Sequence, residues 1–327
     1  MELRPLGRSG LWVGRLALGT MTWGRGTDEY EARDILAAFI DAGGTLIDTA
    51  DVYCDGVSET LLGELVDEFE IRDKVVLATK AVSVSGQERR FNASRVHLLS
   101  SLETSLRRLR TDTIDLWQMH AWDPWTPLDE TLAAIDSAVS SGKVRYVGVS
   151  NYSAWQMTRA ATLQEATAGS ARLVTTQVEY SLLERGIERE VVPAAQAVGM
   201  GILPWSPLGR GVLTGKYRHS MPIDSRGANA ETASWVQVYL DERCRRIIDA
   251  VATAAEGLGA SPTEVSLAWL RDRPGVVAPI LGARTANQLV AALASDELEL
   301  PEEILLALDD VAGPELGYPE AGWAQRR

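Results

Sequence analysis

Apolar runs of strand length recur along the chain, each followed by a stretch whose apolar positions fall three and four apart, and this alternation predicts repeated β-strand and α-helix pairs. The opening LRPLGRSGLWVGRLALG reads as a β-hairpin, with Ser9 and Gly10 near its turn, that leads into a first core strand at Leu16 to Leu18 and ends at Gly19. A helix over Asp28 to Ala42 follows, then a strand at Thr45 to Asp48 and a helix opened by Ser58 and Glu59. VVLATK (Val75 to Lys80) is the third strand, and Asn92 starts a helix with Leu98, Leu102, Leu106 and Leu109 on one stripe. TIDLWQMH ends at His120; a helix with Thr126 at its start and Pro127 just inside runs through Ala138. VRYVGVS ends at Ser150, the helix Ser153 to Thr167 follows, and RLVTTQ ends at Gln177. The helix Ile187 to Val198, the strand GILPW and a long loop come next, then helices within Leu240 to Arg271, the strand VVAPI and a helix over Thr285 to Leu293.

Eight such units with near-continuous apolar strands predict a closed parallel barrel, the (β/α)8 TIM-barrel class of α/β folds, because both strand faces must be buried. The N-terminal hairpin would plug it, and residues 1–327 would form a single domain. An open doubly wound sheet that bound a dinucleotide would carry GxGxxG after its first strand, which Gly19 to Gly26 (GTMTWGRG) does not match. LGRGVLTGKY resembles a phosphate-cradling loop, but Arg210 stands where its first Gly belongs and Tyr217 replaces the metal-binding Ser or Thr.

Composition narrows the partners. With 327 residues and 46% hydrophobic content, a well-developed core is expected. The balance of 32 Lys and Arg against 45 Asp and Glu, net −13, argues against nucleic acid or an anionic membrane as partner. Cys54 and Cys244 lie far apart, no basic-plus-apolar leader is visible and no apolar run is long enough to span a bilayer, so a reduced, cytoplasmic setting is expected. His97, His120 and His219 without cysteine pairs or HExxH argue against a structural metal.

In a barrel of this class function gathers at the C-terminal ends of the strands. Strand two ends in Asp48 with Tyr53 on the loop beyond, strand three in Lys80 and strand four in His120. Alone, Asp48 and Lys80 would be a salt bridge lining the barrel, and His120 a satisfied core histidine; four such residues at three neighbouring strand ends together point to proton handling. The motifs IDTADVY, LATK and DLWQMH resemble the aldo-keto reductase family, and so do SGKVRYVGVSN, VEYSLLER, PWSPLGRGVLTGKY and PILGARTANQL, so the resemblance covers nearly the whole chain. It implies a catalytic tetrad of Asp48, Tyr53, Lys80 and His120. That set suits carbonyl reduction: hydride addition leaves an alkoxide that an acid must protonate, and a phenol of pKa about 10 serves better when a cation lowers it. Tyr53 would be that acid, Lys80 the cation, Asp48 its charge partner, and His120 would orient the carbonyl oxygen.

The resemblance further implies a nicotinamide cofactor. Ser150, Asn151 and Gln177 would meet its carboxamide, Asp48 and the end of strand one (Gly19, Thr20, Met21) would border it, and Trp205, a position that is Tyr in much of the family, would stack on it. Ser206, Pro207, Leu208, Gly209 and Gly211 would wrap the pyrophosphate, with Arg210 or Lys216 supplying charge. Gly282, Arg284 and Gln288 would take the adenosine phosphate. Where relatives carry an acidic residue and Asn, this chain reads LVAAL, with Ala291 and Ala292; NADPH is the first expectation, through Arg284, and NADH is also admitted. The substrate is expected to be a small carbonyl compound, an aryl or alkyl aldehyde or a ketone. Four of the ten tryptophans sit on the relevant loops. Of these, Trp23, Trp122, Trp125 and Trp235, two are expected simply to pack, and Trp23 and Trp122 to join Tyr53 and His120 in its pocket. The closing GYPEAGW resembles the aryl-alcohol dehydrogenase-like branch. Alternatives are a redox-reporting subunit like the β subunits of potassium channels, or a reductase dedicated to a deoxysugar or polyketide; the protein would be a monomer or homo-oligomer.

Overall fold

Strands that are apolar on both faces must be covered on both, and here they close on themselves while helices cover the outside. The computed structural model describes residues 1–86, 88–223, 225–230, 232–314 and 317–318. The closing GYPEAGW lies outside the described residues from Pro319 onward. A hairpin of β1 (Leu3–Pro5) and β2 (Trp12–Gly14) precedes eight parallel strands: β3 (Ala17–Gly19), β4 (Leu46–Asp48), β5 (Val76–Ala81), β6 (Ile114–Met119), β7 (Val144–Ser150), β8 (Leu173–Glu179), β9 (Gly201–Trp205) and β10 (Ile280–Gly282). Neighbours follow the order β10-β3-β4-β5-β6-β7-β8-β9. The seam from β9 to β10 is closed by a parallel bridge of Ile202 with Val276 and by the Val277 N–H, which donates to the Ile202 carbonyl at 2.9 Å. The chain is a (β/α)8 barrel.

Its outer ring comprises α1 (Glu29–Asp41), α2 (Val57–Glu68), α3 (Arg95–Arg108), α4 (Leu128–Ser140), α5 (Ala154–Ala166) and α6 (Val191–Val198). It continues with α7 (Ala233–Gln237), α8 (Glu242–Leu258), α9 (Pro262–Arg271), α10 (Ala286–Leu293) and α11 (Glu302–Ala312). Two buried clusters hold these layers together. One fills the space between strands and helices; the smaller unites Leu6 and Val13 of the hairpin with Ala17, Leu46, Ala78, Leu116 and Leu203 inside the barrel. The hairpin therefore seals the N-terminal mouth with apolar contacts. Gly7 makes this close approach with φ +58°; a Cβ there would lie 2.3 Å from the Val174 carbonyl oxygen.

Several boundaries differ from the sequence expectation, each for a local reason. Strand eight was expected over VVAPI, but only Ile280–Gly282 form a ladder, since Pro279 has no N–H to contribute. The helix expected to open at Ser58 begins at Val57 behind Gly56 (φ +91°), because the Ser58 hydroxyl is engaged by Thr20 and Thr49. Thr126 is not a cap; its hydroxyl donates to Asp123 at 2.6 Å and Pro127 occupies the cap position of α4. The helix expected from Asn92 is capped by Ser94 instead, and α6 starts at Val191 and not Ile187. Helix α11 had no counterpart in the reading of the sequence.

Candidate active site

Strand alternation builds the floor of the site. Leu46, Ala78 and Leu116 line the apolar bottom of the barrel, and two residues further along the same inward faces come Asp48, Lys80 and Gln118. Register places Lys80 beside Gln118 and Asp48 beside Ala78, two residues before Lys80, and the Lys80 and Gln118 side chains both reach Asp48. Lys80 is wholly buried. Its Nζ donates to Asp48 Oδ2 at 2.6 Å, to the Thr49 carbonyl at 2.8 Å and to the Tyr53 phenol at 3.3 Å. Asp48 is held from the other side by Gln177 Nε2 at 2.8 Å and Gln118 Nε2 at 3.5 Å. A buried charge pair is tolerable only when its remaining lone pairs and protons find partners, and here they do.

Tyr53 and His120 stand above that layer, their rings edge to face with centroids 5.9 Å apart. Burial pushes the Tyr53 phenol up; Lys80 pulls it down without cancelling the effect, so the net direction is upward. The expectation that Lys80 brings this phenol toward neutrality is thus met in sign only. Burial lowers Lys80 itself, but Asp48 and Tyr53 more than offset it, and the ammonium is held above its ordinary value. Burial, then the Lys80 charge, lower His120 to about 3, so its imidazole is neutral at pH 7, and Nδ1 has no protein partner.

The turn that presents Tyr53 is strained. Cys54 (φ +49°) and Asp55 (φ +55°) are left-handed, and Val82, Asn151, Ser206 and Arg210 also have positive φ at the exits of barrel strands. Among the described residues the other two such non-glycine positions are Glu70 and Arg110, just past helix ends. Backbone strain therefore concentrates on the rim that carries Tyr53, where the surrounding contacts must hold it.

A cleft of about 860 Å³ opens over this floor. Ser150, Asn151, Gln177, Trp205, Ser206, Pro207 and Leu208 line it, with Gly19, Met21, Gly211, Gly282 and Gln288. Asn151 Nδ2 donates to the His120 carbonyl at 2.9 Å and its Oδ1 accepts the Trp205 indole N–H at 3.0 Å, which fixes the plane of that ring. Arg90, Arg210, Lys216, Arg226 and Arg284 also line the cleft, whereas Asp48 is its one acidic lining residue among those described. A chain of net charge −13 thus keeps a local cationic trough.

Some residues singled out in the sequence lie elsewhere. Trp23 is fully buried in the large core cluster and does not line the cleft. Trp122 packs edge to face on Tyr152 and Trp155, also away from the cleft, and Trp125 lies on the surface under Arg89. Of the four loop tryptophans only Trp235 borders the cleft. Thr20 turns inward to Ser58, and Gly209 is buried under Leu183. One N–H of the Gln177 amide is committed to Asp48. Arg210 is bound in two places by Glu179 at 3.1 and 2.8 Å, a partner that satisfies its charge before any phosphate arrives. Arg226, which the sequence reading passed over, enters from the long loop after β9, and its guanidinium is lowered by burial and by Arg284. Its local signal is weak, a single Arg in a polar stretch.

The parallel barrel thus brings a carboxylate, an ammonium and a phenol into one hydrogen-bonded chain at its strand ends. The chain belongs to the aldo/keto reductase family, whose sequence model matches residues 15–312, and is an oxidoreductase of that family. It is 39% identical to "Uncharacterized oxidoreductase YrpG" of Bacillus subtilis, over 98% of this chain and 99% of that protein. It is 32% identical to "Aldo-keto reductase YhdN" of the same organism, over 98% of each. It is also 34% identical to a "Probable voltage-gated potassium channel subunit beta" of rice, over 89% of each chain. Among the described residues no helix is long and apolar enough to cross a membrane, and no cluster of side chains could hold a metal ion.

Proposed function

We propose that the protein reduces aldehyde or ketone carbonyls to alcohols with a nicotinamide cofactor, NADPH before NADH, and that Tyr53 donates the proton. The observation that carries this reading is the single ammonium, Lys80 Nζ, shared between the Asp48 carboxylate and the Tyr53 hydroxyl at the floor of the cleft. The residues present fit such a cofactor. A ring held in plane by Asn151 offers a stacking face, His120 lines the cleft with its ring edge to face against Tyr53, and three of the cations, Lys216, Arg226 and Arg284, supply charge for phosphates.

A nicotinamide bound in the cleft would supply a hydride for the carbonyl carbon. Tyr53 gives its hydroxyl proton to the carbonyl oxygen as negative charge develops there, and it recovers a proton from solvent afterwards. Lys80 stabilises the phenolate left behind, Asp48 keeps Lys80 charged and in place, and neutral His120 orients the oxygen. Burial holds the Tyr53 phenol in its protonated form, the form that proton donation in reduction needs. Following cofactor oxidation optically with a panel of aryl and alkyl aldehydes and ketones tests the reading. Repeated turnover on some of them is the expected result. A single turnover with the oxidised cofactor retained would support instead a redox-reporting subunit; the rice relative is named as a potassium channel β subunit.

Cofactor choice is tested at Arg284, which lines the cleft just before α10 with its backbone N–H bonded to Gln288. A 2′-phosphate gripped by a guanidinium gains a charge-assisted bond worth about 1.5 to 3 kcal/mol. Arg284→Ala is therefore expected to weaken NADPH roughly ten- to hundredfold and NADH by less than a few fold. Equal losses would place Arg284 at the shared pyrophosphate. Loss of neither would move the 2′-phosphate to Arg226 or Lys216. Quenching of tryptophan fluorescence gives both constants.

A further inference from the structure

Behind the Asp48, Lys80 and Tyr53 chain lies a second buried cluster that proton donation as described leaves unused. Asp51 stands two residues before Tyr53, with its N–H donating to the Lys80 carbonyl at 3.2 Å and its own carbonyl accepting from Arg108 at 3.0 Å. Its Oδ1 is buried without a hydrogen-bond partner, where a carboxylate oxygen ordinarily has at least one. Glu59 from α2, and Ser101 and Arg108 from α3, face the carboxyl. The Ser101 hydroxyl lies 3.4 Å from His97 Nε2, and Lys80 and Tyr53 stand on the side of the barrel. Glu59 is wholly buried; it accepts from Arg108 at 3.1 Å and from the Thr79 hydroxyl at 2.7 Å. One Arg108 nitrogen thus reaches the Asp51 main-chain carbonyl and the Glu59 carboxylate together; Glu59, with two donors, holds the guanidinium, while the Asp51 carboxyl lies beside it without that bond.

We propose that Asp51 is a positioning residue whose protonation sets the acidity of the Tyr53 phenol, so that proton donation depends on a second buried carboxyl. The inference rests on Tyr53 being the proton donor. Two like charges in one buried site cannot both be comfortably ionised, and the carboxyl with fewer donors keeps its proton longer. Burial, then the Glu59 charge, push Asp51 up to about 7. It therefore changes charge in the range where such an enzyme operates. Once ionised, Asp51 opposes the phenolate and holds the Tyr53 proton more tightly. Below that transition the phenol is the better acid.

Asp51→Asn, which keeps shape and removes the charge, tests this by two measurements. Single-turnover reduction in the variant is expected to lose an ionisation near pH 7, and the alcohol-oxidation limb to move to lower pH by about half a unit or more. Stability gives a readout without turnover. A carboxyl whose pKa is raised on folding costs nothing while the unfolded chain is also protonated, costs more as pH rises past about 4, and reaches a constant penalty above about 7. The urea midpoint of Asp51→Asn relative to wild type should therefore climb between those values and then level. Superimposable pH profiles, or a stability difference that is flat with pH, would overturn the proposal. Tyr53→Phe separates the two readings. If that variant still reduces carbonyls, Tyr53 is not the donor whatever Asp51 does; if it is inactive and Asp51→Asn changes neither profile, the inference about Asp51 fails alone.

Discussion

Replacing Tyr53 with Phe is expected to lower kcat for carbonyl reduction by about 10²- to 10⁴-fold, the usual contribution of a positioned general acid, while cofactor affinity stays near wild type. The substitution removes one oxygen. The ring still meets His120 edge to face, and Lys80 keeps its two shorter bonds, to Asp48 at 2.6 Å and to the Thr49 carbonyl at 2.8 Å. No buried charge is left without a partner, so unfolding midpoints should barely move. Single-turnover kinetics with the chemical step isolated provides the check. Retention of more than about a tenth of the wild-type rate would remove Tyr53 from the role of acid.

Lys80→Met is expected to damage both stability and chemistry. It strips the ammonium from a buried carboxylate, leaving Asp48 to Gln177 and Gln118, and breaking a buried pair from one side costs about 3 to 5 kcal/mol. The urea midpoint should fall accordingly. The double variant Asp48→Asn/Lys80→Met, which removes both charges, should recover much of that loss without recovering activity. In the chemistry, Lys80 is the main influence opposing the effect of burial on the phenol. Without it the phenol rises further, so alcohol oxidation, which needs the phenolate, should move to higher pH by one unit for each 1.4 kcal/mol or so of lost interaction. An unshifted oxidation profile in a folded variant would show that Lys80 does not tune Tyr53. The two variants thus separate loss of the proton from loss of the field that governs it.

The order of strands and helices was legible because it is written locally. A strand buried on both faces advertises a continuous apolar run, and the helices behind it show their own spacing and caps, as Ser153 and Asp28 do for α5 and α1. Asp48, Lys80 and His120 were legible for the same reason: each lies within one residue of a strand's end, and the barrel directs all its strand ends to one rim. Boundaries blurred where a residue with local capping chemistry was claimed by a distant partner, as Ser58 was by Thr20.

By itself the sequence determined the barrel, the plugging hairpin and the set of polar residues delivered to one rim, since strand period and strand ends are properties of short stretches of chain. Tertiary structure alone decided which loop side chains face the cleft. Trp23 went to the core, Glu179 took Arg210 from 31 positions away, Asp48 took the Gln177 amide from 129 positions away, and Arg226 joined Arg284 along the trough. A loop residue's direction is set by whichever buried charge or cavity lies within its reach, and that is fixed only once remote strands are brought side by side.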